Sequence, residues 1–223
     1  MLCDKMLRLQ ALYRTAALLA LITIGYNILE GVVSVWFGTE DETISLFGFG
    51  LDSFVEVISD VGIWHMVRRL GRGEAQERDS FERRALLVTA GAFYLLAAGL
   101  LATAVVSMMQ GHHPETTRWG IIVSLISIAS MWLLIRYKVK VGTALSSPAI
   151  LADAACSRTC LQLSVALLGA SAGYALTGIG WLDSAGSLLI ALLSLREGRE
   201  AMAKARGLAS PCSCSCGCGS TRD

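Results

Sequence analysis

Apolar positions in this chain gather into long runs rather than into stripes. The runs cover residues 15–38, 43–67, 85–110, 119–137, 149–177 and 179–195, with polar, charge-bearing segments between them. A helix of about 20 apolar residues spans a hydrocarbon core of about 30 Å. Six such runs predict an all-α, polytopic membrane protein of six transmembrane helices, with the fourth and sixth spans short. The predicted organisation is a cytoplasmic N-terminus over 1–14, one six-helix transmembrane domain over 15–198, and a Cys-rich tail over 199–223. The tail is expected to be disordered without metal, since Ser, Gly and Cys cannot supply a core. No stretch remains for a second folded domain.

Composition supports a lipid setting. Of 223 residues, 54% are hydrophobic and 17% charged, where a soluble domain carries about 25% charged residues. Mean hydropathy is +0.57. The net charge of +1 gives no footing for nucleic acid. The seven cysteines are concentrated rather than dispersed, unlike a secreted disulfide scaffold. The first apolar run exceeds a signal-peptide core and lacks a small-residue cleavage site, so it reads as a retained helix.

Charge then fixes an orientation. Basic residues collect in cytoplasmic loops. Lys5, Arg8 and Arg14 precede the first span, and six arginines from Arg68 to Arg84 separate the second from the third. Arg136, Lys138 and Lys140 follow the fourth span, and Arg196, Arg199, Lys204, Arg206 and Arg222 follow the sixth. Of 19 Lys and Arg, only Arg118 and Arg158 fall elsewhere. Six spans with both termini cytoplasmic satisfy every cluster, whereas five would place a terminal basic cluster outside.

Against this background, two polar stretches stand out. Asp52, Glu56 and Asp60 lie four apart in the second span, and Asp153, Cys156, Cys160 and Ser164 form one stripe in the fifth. Residues at this spacing share a helix face. Ionisable groups at membrane depth are costly and point to function. With about 1.5 Å of rise per residue, Glu56 and Cys160 reach similar depths, so the two stripes can meet if these helices are neighbours. Two carboxylates and two thiols make a tetrahedral donor set suited to zinc and related metals. Four anions around a dication need protons when the metal leaves, so such a site exchanges metal for protons.

Blander readings stand beside this one. Membrane carboxylates sometimes only bond neighbouring helices. Cysteines often pack as small apolar residues, although a face shared with Asp153 favours ligation here. Arg158 pairs with Glu30, Asp60 or Asp183, or snorkels to the surface. Glu30 is a candidate proton relay or supporting partner, as are Asp60 and Asp153. Asp183 is expected to cap its own helix. His112 and His113 read as a solvated loop pair. Cys212, Cys214, Cys216 and Cys218 alternate in a pattern that wraps soft cations, so the tail either gathers cytosolic metal or is a dispensable end.

These residues carry a family resemblance. Asn27-Ile-Leu-Glu30-Gly31, Gly48-Phe-Gly-Leu-Asp52-Ser-Phe-Val-Glu56, Leu151-Ala-Asp153-Ala-Ala-Cys156-Ser-Arg-Thr-Cys160 and Gly180-Trp-Leu-Asp183 resemble, in order and spacing, the cation diffusion facilitators in their short form without a cytoplasmic C-terminal domain. The resemblance implies a transport site of two ligands from the second span, Asp52 and Glu56, and two from the fifth. At those latter positions the family usually has His and Asp, and this chain has Cys156 and Cys160. Sulfur shifts preference toward softer cations.

The expected function is a secondary transporter, not an enzyme, that exports a divalent metal from the cytoplasm in exchange for protons. Zinc is the expected cargo, with cadmium or another thiophilic metal as the alternative, and no permanent cofactor is expected. The expected setting is the plasma membrane and the expected unit a homodimer joined through membrane helices. Two rivals remain at this point. One is a membrane thiol-redox protein using Cys156 and Cys160, although thiols one helical turn apart do not easily reach disulfide geometry. The other is a structural or regulatory membrane protein whose acids only join helices.

Overall fold

The computed structural model of the chain describes residues 2–74, 80–110, 118–179 and 181–207. Among them six helices and no strand occur: α1 (Leu2–Glu40), α2 (Ile44–Gly71), α3 (Ser80–Gln110), α4 (Arg118–Ala144), α5 (Pro148–Thr177) and α6 (Trp181–Ala205). The helices outrun their apolar stretches. The fourth and sixth, expected to be short, have 27 and 25 residues. The reason is that Lys, Arg, Glu and Ala are good helix formers, so the helix continues where the apolar run stops.

Local signals set the breaks. Ser147 is extended ahead of Pro148, whose fixed φ suits a first turn. Gly178 closes α5 at φ +67°, its N–H returning 2.7 Å to the Tyr174 carbonyl, a left-handed cap that glycine adopts without strain.

α2 occupies the middle of the bundle, against α1, α3, α5 and α6, while α3 pairs with α6 and α4 with α5. Close approach between α1 and α2 depends on missing side chains. A Cβ on Gly50 would sit 2.8 Å from both the Val35 amide nitrogen and the Ser34 Cβ. α6 buries Ser184, Gly186, Ser187, Ala191, Ser194, Gly198 and Ala201, the small-residue surface that membrane helices use to pack.

Among the described residues, four helices are long and apolar enough to cross a membrane: Gln10–Glu40, Arg83–Val106, Arg118–Ala144 and Ser157–Thr177. α2 and α6 fall short of that measure because charged residues interrupt them, Asp52, Glu56 and Asp60 in one and Asp183, Arg196 and Glu197 in the other. Their acids are turned into the bundle rather than toward its surface. Outward positions are apolar, among them Leu29, Leu95, Leu125, Leu176 and Leu192, all exposed. Hydrocarbon, not water, is the solvent for such a surface. Arg136 stacks on Trp132, its guanidinium carbon 3.8 Å from the ring centroid, in keeping with an interfacial anchor.

Two apolar layers bracket the polar middle. Leu46, Phe49, Leu96, Leu100, Leu163, Leu167 and Ile190 fill the half toward the start of α2. Ala16, Val67, Val141 and Ile150 fill the half toward its end.

Candidate metal centre

The second and fifth apolar helices are neighbours, and among the described side chains their polar stripes touch at one pair, Cys160 and Glu56. The Cys160 thiol donates to Glu56 Oε2 at 2.5 Å. Cys160 is 5% exposed and rests on Met131 and Leu134 of α4. Glu56 is half-buried. The same Oε2 accepts a long bond from Asn27 Nδ2 at 3.4 Å, and that nitrogen also donates to Asp60 Oδ2 at 3.0 Å. Asn27 thus bridges two carboxylates one turn apart.

Asp52 takes a different direction. It is 1% exposed, and its Oδ1 accepts from the Ser194 hydroxyl of α6 at 2.8 Å. Glu30, also buried, accepts from Tyr26 at 2.8 Å and from Ser53 at 3.1 Å. Four carboxylates from α1 and α2 are therefore held by neutral donors, as burial of such groups requires. Among the described residues, no three His, Cys, Asp or Glu side chains stand close enough to hold an ion without movement.

The side chains of Asp153 and Cys156 lie outside the described residues, as do His112, His113 and Cys212, Cys214, Cys216 and Cys218. Ser164, last in the α5 stripe, faces Ser127 of α4 at 2.7 Å. Arg158 is exposed, whereas Glu30, Asp60 and Asp183 are buried and engaged by other donors.

One expectation needs extending and one correcting. Asp183 caps α2. Its carboxylate accepts from the backbone N–H of Ile44 at 2.9 Å and of Ser45 at 3.2 Å, and from the Ser45 hydroxyl. Thr43, the local cap residue of α2, makes no side-chain cap bond, so an acid from a distant helix takes that place. Lys138 is not a loop residue. It lies within α4, is 1% exposed, and donates to Ser157 Oγ at 2.9 Å.

Beyond the apolar stretch of α6, Thr159 donates to Glu197 Oε1 at 3.0 Å, tying α5 to α6. Burial pushes the Glu197 carboxyl above the ordinary carboxylate range, and the neighbouring Glu200 adds to the effect.

The bridging role of Asn27, the Ser194 bond to Asp52 and the Tyr26 bond to Glu30 were not legible in the sequence. An Asn within an apolar run was a signal for the first. A serine among serines gave none for the second.

The model of the cation efflux transmembrane domain matches residues 16–206. No curated protein matches.

Proposed function

The chain belongs to the cation efflux, or cation diffusion facilitator, family, and from that premise we propose that this integral, multi-pass cation transporter exports zinc from the cytoplasm in exchange for protons, with cadmium or another thiophilic metal as the alternative cargo. The observation that carries the reading is the 2.5 Å contact between Cys160 and Glu56, which joins a thiol and a carboxylate across α2 and α5. Thiolate with carboxylate suits zinc and softer ions better than magnesium or calcium.

The proposed ligands are Asp52, Glu56, Cys156 and Cys160. Asp52 must leave Ser194 and turn toward Glu56 to take part. Metal arrival displaces the thiol proton, since the thiolate is the ligand. Release runs in reverse: protons returning to sulfur and carboxylate free the cation. Glu30, Asp60 and Asp153 are proposed to support these ligands or to pass protons. The apolar layer around Phe49 and Leu167 separates the acids from the start of α2, which is the outer end in the orientation we propose. Tail capture of metal by Cys212, Cys214, Cys216 and Cys218 would feed the cytoplasmic side.

The test uses proteoliposomes and the full chain with those four tail cysteines replaced by Ser, so that the tail cannot bind metal. The parent should move Zn2+ against a proton gradient. Asp52→Ala and Cys160→Ala should each reduce flux by at least about tenfold, the scale on which changes around a metal site act, while inserting normally. Parent-like flux in both variants would overturn the site.

A further inference from the structure

We propose that Asn27 of α1 is itself a ligand to the transported cation, through its side-chain carbonyl oxygen, and so takes part in choosing the metal. This rests on the reading above. Asn27 is wholly buried, at 0% exposure. Its Nδ2 reaches both Glu56 and Asp60. Its Oδ1 is also buried and has no hydrogen-bond donor among the described residues. A buried amide oxygen with no partner incurs the full cost of its desolvation. Such an orphan calls for an explanation, and coordination to a cation supplies one.

The location makes the cation the natural partner. The amide nitrogen lies 3.4 Å from Glu56 Oε2, the same oxygen the Cys160 thiol engages. As arranged here, a thiol hydrogen and an amide hydrogen both point at that oxygen. A dication replacing the thiol proton would repel the amide hydrogens and attract the amide oxygen. Rotation about the Cβ–Cγ bond exchanges the two ends of the amide, and this terminal torsion is broad and soft. The carbonyl then faces the ion, and the unpartnered oxygen gains a partner. Amide oxygen is a harder donor than thiolate. An Asn27 ligand therefore contributes more to binding Zn2+ than to binding the softer Cd2+.

The test measures binding of Zn2+ and of Cd2+ to the full chain in detergent, with the tail cysteines replaced by Ser, and counts oxygen and nitrogen neighbours of bound Zn2+ by X-ray absorption. Asn27→Leu should weaken Zn2+ by about tenfold or more, weaken Cd2+ less, and lose one light-atom neighbour. Asn27→Asp keeps an oxygen in place and should retain Zn2+ binding and coordination number. If the amide only joins helices through its N–H groups, Asn27→Asp sets a third carboxylate against Glu56 and Asp60 and loses binding, which overturns the proposal. An unchanged Zn2+ to Cd2+ ratio and neighbour count in Asn27→Leu overturns it too. Failure of the parent to bind either metal removes the transport reading first and this ligand with it. Parent binding with an indifferent Asn27 removes only this ligand.

Discussion

At the scale of the residue, the centre is an arrangement of acids kept in place by neutral donors. Serine, tyrosine, asparagine and cysteine donate to Asp52, Glu30, Glu56 and Asp60 at these contacts. A lysine or arginine at the same contacts would compete with a cation for those oxygens. Glu197 shows the electrostatic side of burial at a position clear of the apolar stretch. Its proton affinity is raised in the fold, so the folded chain binds that proton more tightly than the unfolded chain. The Glu197 contribution to stability is then complete at acid pH and falls as pH rises from the ordinary carboxylate range through the raised value. Glu197→Gln should flatten that part of the stability profile in detergent. Identical pH slopes in parent and variant would contradict the assignment.

At the scale of the element, α2 is both the carrier of the acids and the helix with most neighbours. At its N-terminus Thr43 and Ser45 are buried, and Thr43 makes no side-chain cap bond. Asp183 of α6 supplies the missing acceptor and complements the positive end of the helix dipole. Removal should act on stability before chemistry. Asp183→Ala is expected to cost about 2 kcal/mol, the range for hydrogen bonds to a charged group, while Zn2+ affinity of the folded fraction stays near that of the parent. A thermal midpoint equal to the parent's would show that the cap contributes nothing. Gly50 matters to the same helix for a steric reason. Any side chain there meets the α1 backbone, and separation of α1 from α2 would pull Asn27 from its two carboxylates.

At the scale of the whole molecule, the bundle turns polar groups inward and apolar groups outward. Six crossings with both termini cytoplasmic are our proposal from the basic clusters. Reporter fusions at residue 1 and residue 223 should both read cytoplasmic, and a reporter inserted between α3 and α4 should read external. Opposite readings at the two ends would mean an odd number of crossings. A homodimer joined through membrane helices is proposed as the working unit, and native mass of the reconstituted protein decides between one copy and two.

The sequence by itself determined the helical class, the membrane setting and the two polar stripes, because hydropathy and four-residue spacing are local properties of a chain. It also placed Glu56 and Cys160 at a common depth, since rise per residue is fixed once a helix is assumed. Only tertiary structure decided which donor each acid meets. Asp52 faces Ser194 across 142 positions, Asp183 closes α2 across 139, and Asn27 reaches Asp60 across 33. Partners so far apart are chosen by how helices rotate and cross, and rotation is set by small-residue contacts such as Gly50 that no local pattern encodes. For the same reason Lys138 read as a loop cation, and the reach of Asp183 to α2 was not legible. Local signals identified the chemical role of each group, and packing assigned its partner.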